Sequence, residues 1–182
     1  LVRWDGSRIL VEQATATGFS ANGAIVAQLE GAGAPRITGL DLNVQARNYD
    51  VRRLPVALPN GAAIVGLADF TGRLTGTPEA PNVAGRLQLN QLAVNGVAFE
   101  PVLRGTVNLA SGRGANLNLA GVRGDRIVVA LDRNNQPQTF FIQRDQAVAV
   151  GRTEGDRLLV NVKDFPIAAL NIIPGGATAG LG

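Results

Sequence analysis

Two residue types that carry much of enzyme chemistry are missing: the sequence has no cysteine and no histidine. Acid–base catalysis at neutral pH, Ser/His triads and most zinc sites depend on imidazole or thiolate groups. Serine is scarce as well, and none of Ser7, Ser20 and Ser111 lies in a G-x-S-x-G motif. The composition therefore predicts a chain that is not an enzyme and that holds no cofactor and no metal.

Acidic residues near turns do not change this prediction. Asp125, Asp132, Asp156 and Asp164 lie in no D-x-D-x-D-G or Gly-Gly-x-Gly-x-Asp calcium pattern. We interpret them as turn-forming residues.

Methionine and long apolar runs are also absent. The sequence contains no Met, and no uninterrupted stretch of apolar residues is long enough for a membrane-spanning helix. We expect the chain to be a piece of a longer protein whose signal or membrane contact lies outside it. The 182 residues suit one domain of ordinary size.

The basic residues do not form a nucleic-acid surface. The net charge is +3, but the arginines are scattered singly and only Arg52 and Arg53 are adjacent. Aromatic residues make up 4% of the chain, too few for a platform on which bases stack. We predict that the arginines occupy solvated outer faces and that the chain binds no nucleic acid.

What the sequence does contain is alternation of apolar and polar residues. Segments such as "GLDLNVQAR" and "GANLNLAG" have the period of two that is typical of a strand with one dry and one wet face. Helical periodicity is nearly absent, so the sequence predicts an all-β, antiparallel fold. The principal apolar positions of these runs are Leu40, Leu42, Val44, Leu87, Leu89, Val107, Leu109, Leu117, Leu119, Ile127, Val129, Leu131, Val160 and Val162.

Turn-forming residues separate the alternating runs. Ser111 to Gly114 have the composition of a hairpin turn. Further turns are predicted at Asp5-Gly6, Asn22-Gly23, Pro59-Asn60-Gly61, Asn95-Gly96, Asn134-Asn135 and Glu154-Gly155-Asp156. The apolar phase changes from odd to even numbers after Asn90, which predicts a bulge or break at Asn90-Gln91.

One sequence unit occurs twice. Residues 34–47, "APRITGLDLNVQAR", are echoed by residues 80–94, "APNVAGRLQLNQLAV". We interpret each Ala-Pro as a strand entry, and Gly39 and Gly85 as sites of a sharp bend. The repetition predicts a sheet that grows by adding hairpins over residues 1–173, with echoed units near 19–46 and 70–94. Residues 174–182 form a Gly/Ala-rich tail, interpreted as the start of a further repeat.

The apolar face of such a sheet must be covered. It can close as a sandwich or barrel, or stay partly open and receive another molecule. With few aromatic residues to fill a core, we expect an aliphatic lining that suits acyl chains, and we interpret the single Trp4 as a core plug or end cap. The plain core of a β-sandwich remains the alternative, since its inward-facing Leu and Val produce the same pattern.

The stretch Phe70–Gly121 resembles the TamB family, the translocation and assembly module proteins of bacterial envelopes. It combines a strand, a Gly-Thr-Pro-x-Ala-Pro step, alternating Leu, Val-Asn-Gly and a closing "LNLAG". The resemblance, to which residues 19–46 also fit, implies an elongated antiparallel sheet curled into an open, apolar-lined trough, sometimes described as a β-taco. The fourteen apolar positions would line that trough.

The resemblance also implies a function. Such a protein would be a bridge-like lipid transfer protein that shields phospholipid acyl chains in the periplasm, with a linked role in outer-membrane protein assembly. The full-length protein would carry an inner-membrane anchor and would meet an outer-membrane barrel of the Omp85 type. The alternative is a structural or adhesive extracellular β-repeat protein.

Overall fold

The computed structural model describes residues 2–4, 8–28, 36–53 and 63–166, which form thirteen strands and one short 3-10 turn at Val51–Arg53. The strands are numbered in chain order. They are β1 (Val2–Trp4), β2 (Arg8–Ala16), β3 (Phe19–Gln28), β4 (Arg36–Asp50), β5 (Ile64–Gly76), β6 (Pro81–Val94), β7 (Val97–Ala98), β8 (Val102–Ala110), β9 (Gly114–Ala120), β10 (Arg126–Leu131), β11 (Pro137–Arg144), β12 (Ala147–Glu154) and β13 (Arg157–Lys163).

The strands form one antiparallel sheet in which chain neighbours are sheet neighbours. Its order is β1-β2-β3-β4-β5-β6-β8-β9-β10-β11-β12-β13, and the two-residue β7 pairs with the end of β6. Among the described residues β1 and β13 do not pair, so the sheet is not closed. The prediction of an all-β, antiparallel fold is therefore confirmed. Nowhere in the described ranges is there a helix long and apolar enough to cross a membrane.

Most of the predicted turns that can be examined join neighbouring strands. Asn95 and Gly96, with φ of 49° and 81°, connect β6 to β7, as expected for a hairpin turn that needs positive φ at both central residues. Turns also occur at residues 111–113, 133–134 and 155–156. Asp5-Gly6 and Pro59-Asn60-Gly61 lie outside the described residues.

The turn predicted at Asn22-Gly23 is wrong. Both residues lie inside β3, where Gly23 pairs with Val11 on one side and Leu42 on the other. A Cβ on Gly23 would collide with the backbone carbonyl of Asp41 on the neighbouring strand. Gly23 therefore allows a close approach of two backbones beside the irregular β2–β3 pairing, rather than a reversal of the chain.

The bend predicted at Gly85 is also wrong, whereas Gly39 lies beside an irregularity in the β3–β4 pairing. Pro81 does begin β6, and β4 begins at Arg36 directly after Pro35, which lies outside the described residues. Both glycines, however, lie inside these strands: Gly39 pairs with Val26, and Gly85 pairs with residues on both neighbouring strands. Continuous pairing on both sides keeps β6 extended at Gly85, so Gly85 does not bend the chain. Next to Gly39, Thr38 is an extra residue in the β3–β4 ladder, so the pairing there leaves the predicted bend uncontradicted.

The phase change after Asn90 corresponds to a bulge in β6. Asn90 pairs with Leu67 and Ala93 pairs with Val65, so β6 holds one residue more than β5 over this interval. Gln91 has φ of 54° and donates its backbone N–H to the Pro101 carbonyl at 2.8 Å instead of joining the ladder. The bulge brings Leu92 and Val94 to the same face as Leu87.

Among the described residues, the most buried part lies between β6 and Phe165, just after β13. Leu103 and Leu119 are completely buried, and nine residues from this half form one cluster. Its members are Leu92, Val94, Leu103, Leu119, Ile127, Phe140, Ile142, Ala149 and Phe165. Trp4 is not part of it: this side chain is 43% exposed on β1 at the sheet edge, so the prediction of a core plug is wrong.

Candidate functional site

The strand register brings all fourteen apolar positions to one face of the sheet. One continuous row of paired residues contains Val44, Val107, Leu117, Val129 and Val160. A second row contains Leu87, Leu119, Ile127 and Val162, and a third contains Leu42, Leu109 and Leu131. Leu40 and Leu89 lie two residues from members of these rows and share their face. We call this surface the apolar face.

An apolar pocket of about 820 Å³ lies on this face. Eight of the fourteen positions line it: Val44, Leu87, Leu89, Val107, Leu117, Leu119, Ile127 and Val129. The other six do not. Leu40, Leu42, Leu109 and Leu131 lie toward the strand ends joined by residues 77–80, 111–113 and 132–136, whereas Val160 packs on the buried cluster and Val162 is 39% exposed on the last strand.

Aromatic residues, which the composition gave no reason to expect here, form much of the lining. Five of the eight aromatic side chains in the sequence line the pocket, so its surface is not purely aliphatic. They are Phe19, Tyr49, Phe70, Phe99 and Phe165. Phe19 and Phe70 have the phase of the apolar positions on their own strands. They could have been found by extending the alternation beyond the Leu-rich runs.

Phe70 lies flat on the sheet because two glycines make room for it. Gly72 and Gly85 are directly paired on β5 and β6. A Cβ on Gly72 would come 2.5 Å from the ring atom Cζ of Phe70, and a Cβ on Gly85 would come 2.6 Å from its Cε2. The glycines thus place a ring, rather than two aliphatic side chains, on this part of the apolar face.

On the β6 side one end of the pocket is more buried than the other, and we call this more buried end the closed end. At the closed end Leu92, Val94 and Phe165 are each 5% exposed, and Phe99 packs against them in the same cluster. At the other end the pocket reaches Val83, and the apolar face continues beyond it through partly exposed Leu109 and Leu131. The pocket therefore follows β6 from Val83 to Val94.

The opposite face carries polar side chains joined to one another. Asn90 Nδ2 donates to Asp69 Oδ2 at 2.9 Å, Gln88 Nε2 donates to Asn90 Oδ1 at 2.8 Å, and Arg104 Nε donates to Gln88 Oε1 at 2.7 Å. This ladder crosses β5, β6 and β8. Leu89 and its neighbour Gln88 therefore face an apolar pocket and a polar surface, respectively.

An exposed ion pair lies on the same polar face. The guanidinium of Arg73 donates to both carboxylate oxygens of Asp41, at 2.7 and 2.8 Å. This hydrogen bonding and the positive charge of Arg73 lower the pKa of Asp41. Because both groups remain in contact with water, the pair belongs to the solvated side of the sheet.

Two buried carboxylates tie together the loops beside the closed end. Glu100 accepts backbone N–H groups of Arg123 and Asp125, and Asp125 accepts those of Glu100 and Asp145. Burial raises the pKa of Glu100, but the N–H groups of Asp125 and Arg123 and the charge of Arg123 together lower it below its ordinary value.

The acidic residues predicted to form turns therefore have two roles. Asp132 accepts the N–H groups of Asn134 and Gln136 in its own turn, as predicted. Asp125 instead links three separate loops, so interpreting it only as a turn former is wrong. Asp156 lies in the β12–β13 turn, and Asp164 follows β13 with φ of 52°.

Among the lining residues of the pocket that the structure describes, few carry polar groups. The polar lining consists of Thr17 and Tyr49, and the Tyr49 hydroxyl already donates to the Arg53 carbonyl at 3.1 Å. In the parts of the chain that the structure covers, no cluster of His, Cys, Asp or Glu is arranged to hold a metal ion. Comparison with protein-family models, curated proteins and solved structures gives no match.

Proposed function

We propose that the chain transfers lipid by shielding acyl chains in a curled, open, apolar trough, as the resemblance to the TamB family implies. The observation that carries the proposal is the apolar pocket of about 820 Å³ on the apolar face. Its volume falls in the range of about 300–1,000 Å³ that is typical of small-molecule sites.

The set of strands that line the pocket supports the curled shape. Pocket residues come from nine strands, β2 to β6 and β8 to β11. In a flat sheet β3 and β11 would be seven strand spacings apart, or about 34 Å. Both strands contribute to one pocket, as expected of a sheet that curls around it. For comparison, a barrel of about eight strands encloses just enough space for one small ligand.

The shape of the pocket favours an extended chain as the occupant. Along β6 the distance from Val83 to Val94 corresponds to about 35 Å of strand. An even spread of 820 Å³ over that length would correspond to a mean cross-section of about 23 Å². A single extended acyl chain suits a space of that length and cross-section.

The energetics agree with this occupant. Burying one methylene contributes about 0.8 kcal/mol, so ten methylenes in the pocket contribute about 8 kcal/mol. With the Tyr49 hydroxyl already bonded to its own protein, the lining demands few hydrogen bonds from a ligand. The polar ladder of Asp69, Gln88 and Arg104 keeps the reverse side of the same strands compatible with water.

The proposal extends to the cellular setting that the resemblance implies. The chain would act in the periplasm as part of a longer protein anchored in the inner membrane. Its partners would be phospholipid acyl chains and, through the full-length protein, an outer-membrane barrel of the Omp85 type. Assistance to outer-membrane protein assembly would follow from lipid supply. The trough itself requires neither catalysis nor a cofactor.

The alternative is a structural or adhesive β-repeat protein, and the buried cluster favours it. Leu103, Leu119 and Ala149 are fully buried on the apolar face, so the protein covers part of that face with its own side chains. If the remaining pocket is also filled by protein in solution, the sheet needs no ligand.

Site-specific photo-crosslinking distinguishes the two functions. A photoreactive amino acid is placed at Leu89, which lines the pocket, and separately at Gln88, on the opposite face of the same strand. Leu117 and exposed Asn118 give a second matched pair on β9. After incubation with vesicles of phosphatidylethanolamine and phosphatidylglycerol, we expect lipid adducts at Leu89 and Leu117 only.

Two other outcomes would contradict the proposal. Folded variants without adducts at any of the four positions would favour the structural alternative. Equal adducts within each pair would indicate nonspecific adhesion of lipid to the sheet.

A further inference from the structure

We infer that Phe165 closes the pocket and sets the length of the acyl chain that it accepts. This inference rests on the proposed function, because it assumes that an acyl chain occupies the pocket. It concerns a residue beyond the last strand, outside the alternating pattern of the sheet.

The position of Phe165 is unusual for a buried aromatic residue. The last residue of β13 is Lys163, and Asp164, with φ of 52°, turns the chain away from the strand. Phe165 comes next and is only 5% exposed. Its side chain joins a cluster built from β6 to β12 and lines the apolar pocket.

Phe165 is held by its side chain rather than by the sheet. It belongs to no strand, and no ladder pair includes it in the described pairing of β12 with β13. Its ring fills apolar space at the same end as Leu92 and Val94, which are equally buried. Changing this ring therefore changes the volume of the closed end without breaking a strand pair.

The two ends of the pocket give a bound chain a direction. Near Val83 the apolar face is partly exposed, so a polar headgroup can remain in water there. At the Phe165 end Leu92, Val94 and Phe165 are buried, and an apolar methyl terminus suits this part of the lining better than a polar headgroup does. An acyl chain thus enters tail first from the Val83 end and stops against Phe165.

A stop of this kind has a measurable consequence. Each methylene that fits in the pocket strengthens binding by about fourfold, and methylenes beyond the stop add no further affinity. A smaller residue at 165 opens apolar space, and enclosed apolar space of this kind stays dry and accepts apolar ligands. The chain length at which affinity stops rising therefore reports on residue 165.

The experiment measures the affinity of the full chain for saturated fatty acids that differ by two carbons, using isothermal titration. We expect the limiting length to move to longer chains in Phe165→Ala and to shorter chains in Phe165→Trp. Phe165→Leu, which keeps part of the apolar volume, should give an intermediate limit. Leu159→Ala, an exposed position on β13, is the matched control and should leave the limit unchanged.

The outcomes separate this inference from the proposed function. Affinity that rises with chain length but reaches the same limit in all variants would overturn the role of Phe165 and leave lipid binding in place. Absence of binding at every length, in wild type and in variants that circular dichroism shows to be folded, would overturn both. If Phe165→Ala fails to fold, the limiting chain lengths of Phe165→Leu and Phe165→Trp test the role of Phe165 instead.

Discussion

Glu100 and Asp125 each accept a hydrogen bond from the backbone N–H of the other: Asp125 N donates to Glu100 Oε1 at 2.8 Å, and Glu100 N donates to Asp125 Oδ2 at 2.7 Å. The two residues are 5% and 3% exposed. This reciprocal pair joins the segment before β8 to the loop between β9 and β10, and Asp125 Oδ1 also accepts the Asp145 N–H of the β11–β12 turn. It therefore fixes three loops beside the closed end of the pocket.

Replacing Asp125 with Ala should destabilise the protein more than is usual for a substitution in a loop. The change leaves the buried backbone N–H of Glu100 without its acceptor, which costs about 1–3 kcal/mol. The control is Asp132→Ala, whose partners Asn134 and Gln136 are exposed and can bind water instead. Urea denaturation should show a clearly larger loss for Asp125→Ala. Equal losses would mean that the reciprocal pair adds nothing beyond an ordinary turn.

The stability contributed by Glu100 should depend on pH. Its pKa in the folded state lies below the ordinary value of 4.5. Above pH 4.5 the ionised carboxylate therefore stabilises the fold, and this stabilisation is lost as the pH falls through the folded-state pKa. Thermal unfolding of wild type and Glu100→Gln should therefore differ most at neutral pH and converge as the pH falls through the lowered folded-state pKa of Glu100. A difference that stays constant from pH 7 to strong acid would show that the charge of Glu100 is not responsible.

Gly85→Ala should disrupt the apolar face without removing any apolar group. The new Cβ would lie 2.5 Å from the Thr71 carbonyl oxygen and 2.6 Å from a ring atom of Phe70, so strand and ring must both move. Overpacking of this kind costs about 1–3 kcal/mol. Gly96→Asn is the control, because no atom lies within 4 Å of a Cβ there and Asn tolerates positive φ. A neutral Gly85→Ala would show that the two paired glycines are not needed to seat the ring.

The fold class and the apolar face could be predicted because alternation is a local property. Leu40, Leu42 and Val44 show the strand period within five residues, and the odd-to-even change after Asn90 reveals the bulge without any knowledge of its neighbours. By contrast, the role of Asn22-Gly23 depends on the approach of Asp41 from another strand. A dipeptide typical of turns carries no information about that approach.

The boundary between core and pocket could not be predicted for a similar reason. Leu119 is completely buried and Leu117, two residues earlier on the same strand, is only partly buried, although both have the same phase and residue type. Their difference depends on which residues from other strands pack over each one: Leu119 belongs to the buried cluster, whereas Leu117 only packs against it. Phe165 was missed because it follows the last strand, where the period of two no longer applies.

Deleting Gln91 should be among the most damaging single changes in the chain. Without the extra residue, Leu92 and Val94 would shift by one position and point to the polar face, because side chains alternate along a strand. Burial of each contributes about 1.5–3 kcal/mol, so the deletion removes about 3–6 kcal/mol from a typical total of 5–15 kcal/mol. Gln91→Gly, which retains the bulge and suits its positive φ, should stay folded with near-normal stability. Equilibrium denaturation of the two variants provides the measurement, and a deletion variant as stable as wild type would show that the bulge does not set the phase of β6.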